Sequence, residues 1–206
     1  VAVFRLRTPL SEGDVRRLRA GDTLYLTGTM VTARDAAHRR ALEFIRAGRR
    51  LPVDLEGLAI FHCGPLVRRE EGGWRVLAAG PTTSARMEPF TAELIGALGV
   101  RVVIGKGGMG AGTTEAMRRF GAVYGTFTGG AAVLAAGAVR AVRGVEWLDL
   151  GAPEALWVLE VERFGPLVVA IDSHGRNIHR EVRERAEKSR EAIYRRMGLR
   201  AGGSRT

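Results

Sequence analysis

The chain has 206 residues, room for one large domain or a domain with an appendage, and its 46% hydrophobic and 26% charged residues exclude a disordered polypeptide. A net charge of +10 invites a nucleic-acid reading, but the basic residues are spread along the whole chain and aromatics reach only 6%, so an acidic substrate or an acidic partner subunit explains the charge equally well. The single cysteine, Cys63, excludes an internal disulfide and any iron–sulfur site built from several thiolates of this chain alone.

Apolar runs such as 167–171 are strand-sized, so no membrane span is expected. Residues 1–6 lack a charged start followed by a long apolar core, so no signal peptide is expected either, and a cytoplasmic location follows as the default. Among the 32 basic residues only Lys106 and Lys188 are lysine; Asn177 is the one asparagine and glutamine is absent, a bias that suits a GC-rich or heat-adapted source.

Taken in order, residues 1–6 alternate weakly and read as a strand or extended arm. Residues 8–14 form a helix entry, with Pro9, Glu12 and Asp14 ahead of the apolar anchors Val15 and Leu18. The β-rich stretch 23–31 predicts a strand with a bend at Gly28. A helix follows, capped by Thr32 or Asp35 and closed by Gly48, with Ala36, Ala37, Ala41, Leu42 and Ile45 on its apolar face; this sets Arg34 at a strand-to-helix junction. A buried-type strand, 58–63, ends in His62-Cys63-Gly64-Pro65. Residues 68–73 make a charged hairpin tip, and 74–79 return as the next strand.

That strand delivers the chain to Gly80-Pro81-Thr82-Thr83-Ser84-Ala85-Arg86-Met87, a strand–turn–helix corner. Free backbone N–H groups, hydroxyls and a guanidinium converge there, which suits an anion; a plain capped helix start is the alternative. The helix runs to Leu98, with Met87, Phe90, Leu94 and Leu98 on one face. A strand at 100–104 enters Gly105-Lys106-Gly107-Gly108-Met109-Gly110, followed by a helix at 113–120, a strand at 122–128 and an alanine-rich helix at 131–142. A short strand at 145–150 precedes a strand pair, 156–161 and 167–171, joined at Phe164-Gly165-Pro166. From Arg176 a charged tail helix carries Glu181/Arg185 and Glu191/Arg195 at i,i+4, and 201–206 should fray. Alternating strands and helices argue for a layered α/β fold with a mixed sheet, in one domain spanning 1–206.

The loop 105–110 matches G-x-G-x-x-G between a strand and a helix, which taken alone suggests a dinucleotide site. The following strand ends Tyr124-Gly125-Thr126-Phe127-Thr128-Gly129-Gly130 with no acid to hold a ribose, and no G-K-[ST] makes a Walker loop. What remains is a glycine loop presenting one ammonium group. Arg34, Arg86 and Lys106 thus sit at three strand-end corners, and with the hydroxyls of Thr82 and Thr83 they match a dicarboxylate. His62 reads as a packed or turn histidine, Cys63 as structural, and Asp172-Ser173-His174-Gly175 as a turn, since no nucleophile elbow exists.

Together these motifs resemble the β subunit (or C-terminal domain) of class I, iron–sulfur-dependent fumarate hydratases and the related L-tartrate dehydratases. The resemblance runs through 26–40, 62–65, 80–87, 105–110, 127–135, 145–151 and 160–167. It implies a swivelling β/β/α three-layer fold and a hydro-lyase subunit that hydrates fumarate to L-malate. It also implies an α subunit carrying the [4Fe–4S] cluster, in an α2β2 assembly, with no metal held by this chain, no nucleic acid and no membrane. The isolated chain is expected to be inert and able to self-associate. By motif, Arg34, Arg86 and Lys106 would grip the substrate carboxylates, Thr83 would hydrogen-bond the substrate, and Thr82 would sit at the proton-transfer position. Ala85 departs from the family pattern, which commonly has glycine there. L-tartrate or another hydroxy-dicarboxylate is the alternative substrate, and a basic anion- or nucleic-acid-binding module the alternative of another class.

Overall fold

The computed structural model describes residues 1–197, apart from the side chain at position 191. In chain order the first half contains β1 (Val3–Arg7), α1 (Glu12–Arg16), β2 (Thr23–Thr32), α2 (Asp35–Arg46), β3 (Ala59–Phe61), β4 (Leu66–Glu70) and β5 (Gly73–Ala78). A 3-10 turn, Ser84–Met87, then leads into α3 (Glu88–Leu98), β6 (Val102–Gly105), α4 (Ala111–Phe120) and β7 (Val123–Thr126). The remainder is α5 (Ala132–Gly137), β8 (Val139–Glu146), a 3-10 turn at Leu148–Leu150, β9 (Leu156–Ile171) and α6 (Ile178–Arg196).

Seven strands form one mixed sheet in the order β1-β2-β3-β6-β7-β9-β8, and β2 pairs with β9 as well. That extra pairing closes β2, β3, β6, β7 and β9 into a five-stranded ring. The first four are mutually parallel, and β9 is antiparallel to both of its ring neighbours. The β4–β5 hairpin is a separate two-stranded sheet. A three-to-four-residue strand in the ring is buried on both faces, which is why it reads as an unbroken apolar run. Ala59, Phe61, Val102, Ile104 and Val123 point into the ring, with Phe164 from β9. Ile60, Val103 and Tyr124 point outward, against Ile95 of α3 and Ala116 and Met117 of α4. The bend expected in the first long strand is at Gly28, whose φ of 108° lets the backbone press against Thr8.

Several local expectations are corrected. The alanine-rich stretch is helical only through Gly137; from Val139 it is β8, because Val139, Val142 and Val145 pack on the ring core while pairing with β9. Tertiary packing there overrides alanine's helix propensity. Residues 148–150 form a 3-10 turn instead of strand. The expected strand pair at 156–171 is one long strand, bent where Arg163 and Gly165 take positive φ, so that its two halves pair with different stretches of β2. Neither Thr32 nor Asp35 caps α2: its N-cap is Arg34, with no side-chain cap, and the Thr32 hydroxyl instead accepts from the Trp157 N–H. On α6 the Glu181 carboxylate is taken by Arg176, and Arg185 donates to the Glu181 carbonyl instead. The Glu191 side chain, and with it the expected Glu191/Arg195 pair, lies outside what is described, as do residues 201–206.

Phe61 is fully buried and packs edge-on against Phe127 and Phe164 inside the ring. Phe61→Ala should therefore cost about 3–5 kcal/mol in urea denaturation, whereas Ile60→Val on the outer face should cost about 1 kcal/mol.

Candidate active site

Because β2, β3, β6 and β7 are parallel, their carboxyl ends open on one rim. The chain leaves β2 at Arg34, β3 at His62-Cys63-Gly64 and β6 at Lys106. The segment 81–84 is threaded between the last two: Pro81 bridges Cys63, and Thr83 bridges Lys106. The Thr82 N–H donates to the His62 carbonyl (2.6 Å), the Lys106 N–H to the Thr82 carbonyl (3.2 Å), and the Ser84 N–H to the Lys106 carbonyl (3.0 Å). The Thr82 and Ser84 amides belong to the corner expected to offer free N–H groups to an anion, and they are instead spent on extending the sheet. Thr83, Arg86 and Lys106 are exposed and Thr82 is half-buried.

All five candidate residues lie on this rim, but with different neighbours. The Arg86 guanidinium forms a two-pronged pair with Asp35, Nε to Oδ1 at 3.1 Å and one terminal nitrogen to Oδ2 at 2.8 Å. Asp35 follows Arg34 directly, so this pair ties the β2 and 81–87 corners together. Arg34 is half-buried, its Nε 3.2 Å from Glu154 Oε1. Gly64 makes space for it, since a Cβ there would lie 2.7 Å from an Arg34 terminal nitrogen. Lys106 forms no ion pair among the described residues. A cavity of about 540 Å³ opens beside Ala85, between Glu88, Met109, Asn177 and His179.

Behind the rim lies a buried polar layer. Strand alternation sends His62 and Tyr124 outward, with the bare Gly105 between them, and Ser84 fills the gap: a Cβ on Gly105 would sit 1.9 Å from Ser84 Oγ. Ser84 Oγ is 2.9 Å from His62 Nδ1 and 3.0 Å from Tyr124 Oη, and Tyr124 donates to the Gly107 carbonyl at 2.9 Å. Burial pushes the Tyr124 phenol up. His38 meets His62 edge-on at 5.0 Å and has Nδ1 2.8 Å from the Arg34 carbonyl. So the first glycine of the 105–110 loop serves a serine, and no phosphate explanation is needed for it.

Cys63 is fully buried, and that burial pushes its thiol up to about 12 despite nearby Arg34. Among the described residues no group of three or more His, Cys, Asp or Glu could hold a metal ion. Asp172 accepts from the backbone N–H groups of Ala20, His174 and Arg176, as a turn-forming residue does. Reading the sequence missed Ser84 as the partner of His62, Tyr124 as the partner of Ser84, and Asp35 and Glu154 as partners of the arginines. Only Asp35, adjacent to Arg34, left a signal.

Comparison with known proteins shows the family along most of the chain. The fumarase C-terminus family model matches residues 2–182. The chain is 47% identical, over 91% of its length and 92% of the relative's, to the L(+)-tartrate dehydratase subunit beta of Escherichia coli K12. It is 42% identical to a putative L(+)-tartrate dehydratase subunit beta of Methanocaldococcus jannaschii, covering 89% of this chain and 95% of that one. A putative fumarate hydratase class I of Geobacillus stearothermophilus is 42% identical over 87% of this chain but only 34% of its own length.

The buried histidines make stability depend on pH. Desolvation holds His38 down at about 4, against the pull of the Arg34 carbonyl and Asp35, and puts His62 well below its usual value, with His38 adding to the effect. The unfolded chain binds these protons near pH 6.5 and the folded one does not, so stability is full above that value and falls as pH drops towards 4. His38 alone should remove about 2 kcal/mol between pH 7 and pH 5, read by chemical denaturation, before most carboxylates titrate.

Proposed function

The chain belongs to the fumarase C-terminus family, and on that premise we propose that it is the β subunit of a hydro-lyase that reversibly hydrates fumarate to L-malate. An α subunit completes the site, and α2β2 is the assembly we assign. What supports the residue roles is the convergence of Thr82, Thr83, Arg86 and Lys106 on one rim through the 81–84 bridges, with Arg34 joined to it by the neighbouring Asp35. We read the ring and its helices as the swivelling β/β/α type, in a single domain, and its location as cytoplasmic.

Arg34, Arg86 and Lys106 bind the two carboxylates. Asp35 occupies one edge of the Arg86 guanidinium, and three of its five N–H groups stay available for a bidentate contact. In the dehydration direction a proton leaves the carbon next to a carboxylate, and negative charge spreads into that carboxylate; cations already fixed there stabilise it without rearranging. The Thr82 hydroxyl relays the proton. A threonine accepts one only as it gives up its own, so we assign the terminal base to an acidic side chain of the α subunit. Thr83 donates to substrate oxygen. We assign the [4Fe–4S] cluster to the α subunit, where it would supply a Lewis acid for the departing hydroxyl, since a single cysteine, Cys63, cannot supply several thiolates.

Dehydration of L-tartrate is the second reading, favoured by relatives of that name that match as separate subunits along almost their full length. Tartrate carries one more hydroxyl than malate, and a site built to hydrogen-bond it discriminates strongly against the analogue without it.

The chain, co-expressed with its α subunit and assayed anaerobically, should hydrate fumarate, and the chain alone should do nothing. Arg86→Ala or Lys106→Ala should lower kcat/KM by about 30-fold or more, the loss of one charge-assisted pair. Full activity in both variants would reject the assignment, and turnover of tartrate without fumarate would select the second reading.

A further inference from the structure

We propose that Tyr124, Ser84 and His62 form a positioning relay that holds the backbone of Lys106 in place for substrate; this rests on the reading of Lys106 as a carboxylate-binding residue. Proton counting sets the direction of the relay. A carbonyl only accepts, so the single Tyr124 proton goes to the Gly107 oxygen at 2.9 Å. The 3.0 Å contact between hydroxyls then requires Ser84 to donate to Tyr124, and with that proton spent His62 Nδ1–H must donate to Ser84 at 2.9 Å. His62 is thereby fixed as the Nδ1–H tautomer with a bare Nε2. Among the described residues the buried Nε2 indeed has no hydrogen-bond partner, which a lone pair tolerates better than an orphaned N–H.

The relay ends where Lys106 needs support. The Lys106 N–H and C=O are both held by the 82–84 segment, and the next carbonyl, that of Gly107, is held by Tyr124. Beyond it come Gly108 and Gly110, with little intrinsic stiffness, and Gly107 itself sits at φ 71°. Three hydrogen bonds therefore fix three successive peptide planes, the two flanking an exposed lysine and the next one along, and that lysine's side chain makes no hydrogen bond or ion pair among the described residues. His62 and Ser84 come from β3 and from the corner that carries both threonines, so one buried chain aligns Lys106 with Thr82 and Thr83. The pieces are mutually dependent: any side chain at position 105 would expel Ser84.

The test uses the assembled enzyme. Tyr124→Phe keeps the ring and removes the donor, and should raise KM for the dicarboxylate by ~10-fold with kcat within ~3-fold, because lysine holds the carboxylate in ground and transition state alike. If Tyr124 acts through Lys106, the Lys106→Ala/Tyr124→Phe double variant should match Lys106→Ala alone. Multiplied losses, or an unchanged KM in Tyr124→Phe while Lys106→Ala is impaired, overturn the relay and leave the site reading standing. Full activity in Lys106→Ala overturns the site reading, and the relay with it. Nitrogen NMR of histidine-labelled wild-type enzyme gives a readout that needs no variant to fold: the Nδ1–H tautomer at His62 is expected, and an Nε2–H tautomer overturns the relay.

Discussion

The pairing of β9 with both β2 and β7 is the constraint on which this architecture depends. Without it the parallel strands would form an open sheet; with it they close into a ring whose inner face is packed by Phe61, Phe164 and their neighbours. Closure removes two strand edges and fixes the relative height of every strand end. The β2, β3 and β6 corners consequently lie at one level, and three cations from distant parts of the sequence share a rim.

Closure also creates two environments for each strand residue. Inward positions are apolar without exception along β3, β6 and β7, while the outward row becomes polar at its carboxyl end, at His62, the gap at Gly105, and Tyr124. A buried polar row is stable only if its hydrogen bonds are nearly complete, and Ser84 is the residue that completes it. The 81–84 segment is thus bound to the ring by backbone bridges on its outside and a hydroxyl on its inside. That double attachment gives two threonines a defined position although they lie in a loop.

The electrostatics of the rim are graded. Arg86 is held by Asp35 and Arg34 lies against Glu154, whereas Lys106 has no acidic partner among the described residues. An exposed pair such as Arg86–Asp35 contributes only about 0–1 kcal/mol to stability, so its value lies in orienting the guanidinium fork more than in holding the fold. The rim therefore carries two arginines set against acids and one ammonium group without an acidic partner among the described residues. Elsewhere on the surface other arginines are also paired with acids, as in Arg40–Asp149 and Arg46–Glu93.

The sequence by itself determined what depends on local chemistry. Short apolar runs bounded by turn residues indicated buried strands in a mixed α/β sheet, and the motifs around Arg34, Thr82, Thr83, Arg86 and Lys106 carried the resemblance to the family and the expectation of an anionic ligand. Tertiary structure decided what depends on contacts between distant residues. Helix propensity favoured 139–142, yet pairing with β9 made it strand; Phe164-Gly165-Pro166 looked like a turn, yet both flanks pair with the single strand β2. Most of all, Ser84 and Tyr124 are 40 residues apart, and neither carries a local signature of its neighbour. Only the pairing of β6 with β7 and the bridging of 81–84 onto β3 and β6 set Tyr124 beside Gly105 and Ser84 over it, because a hydrogen bond across strands is encoded by register and alternation and not by the identity of either partner.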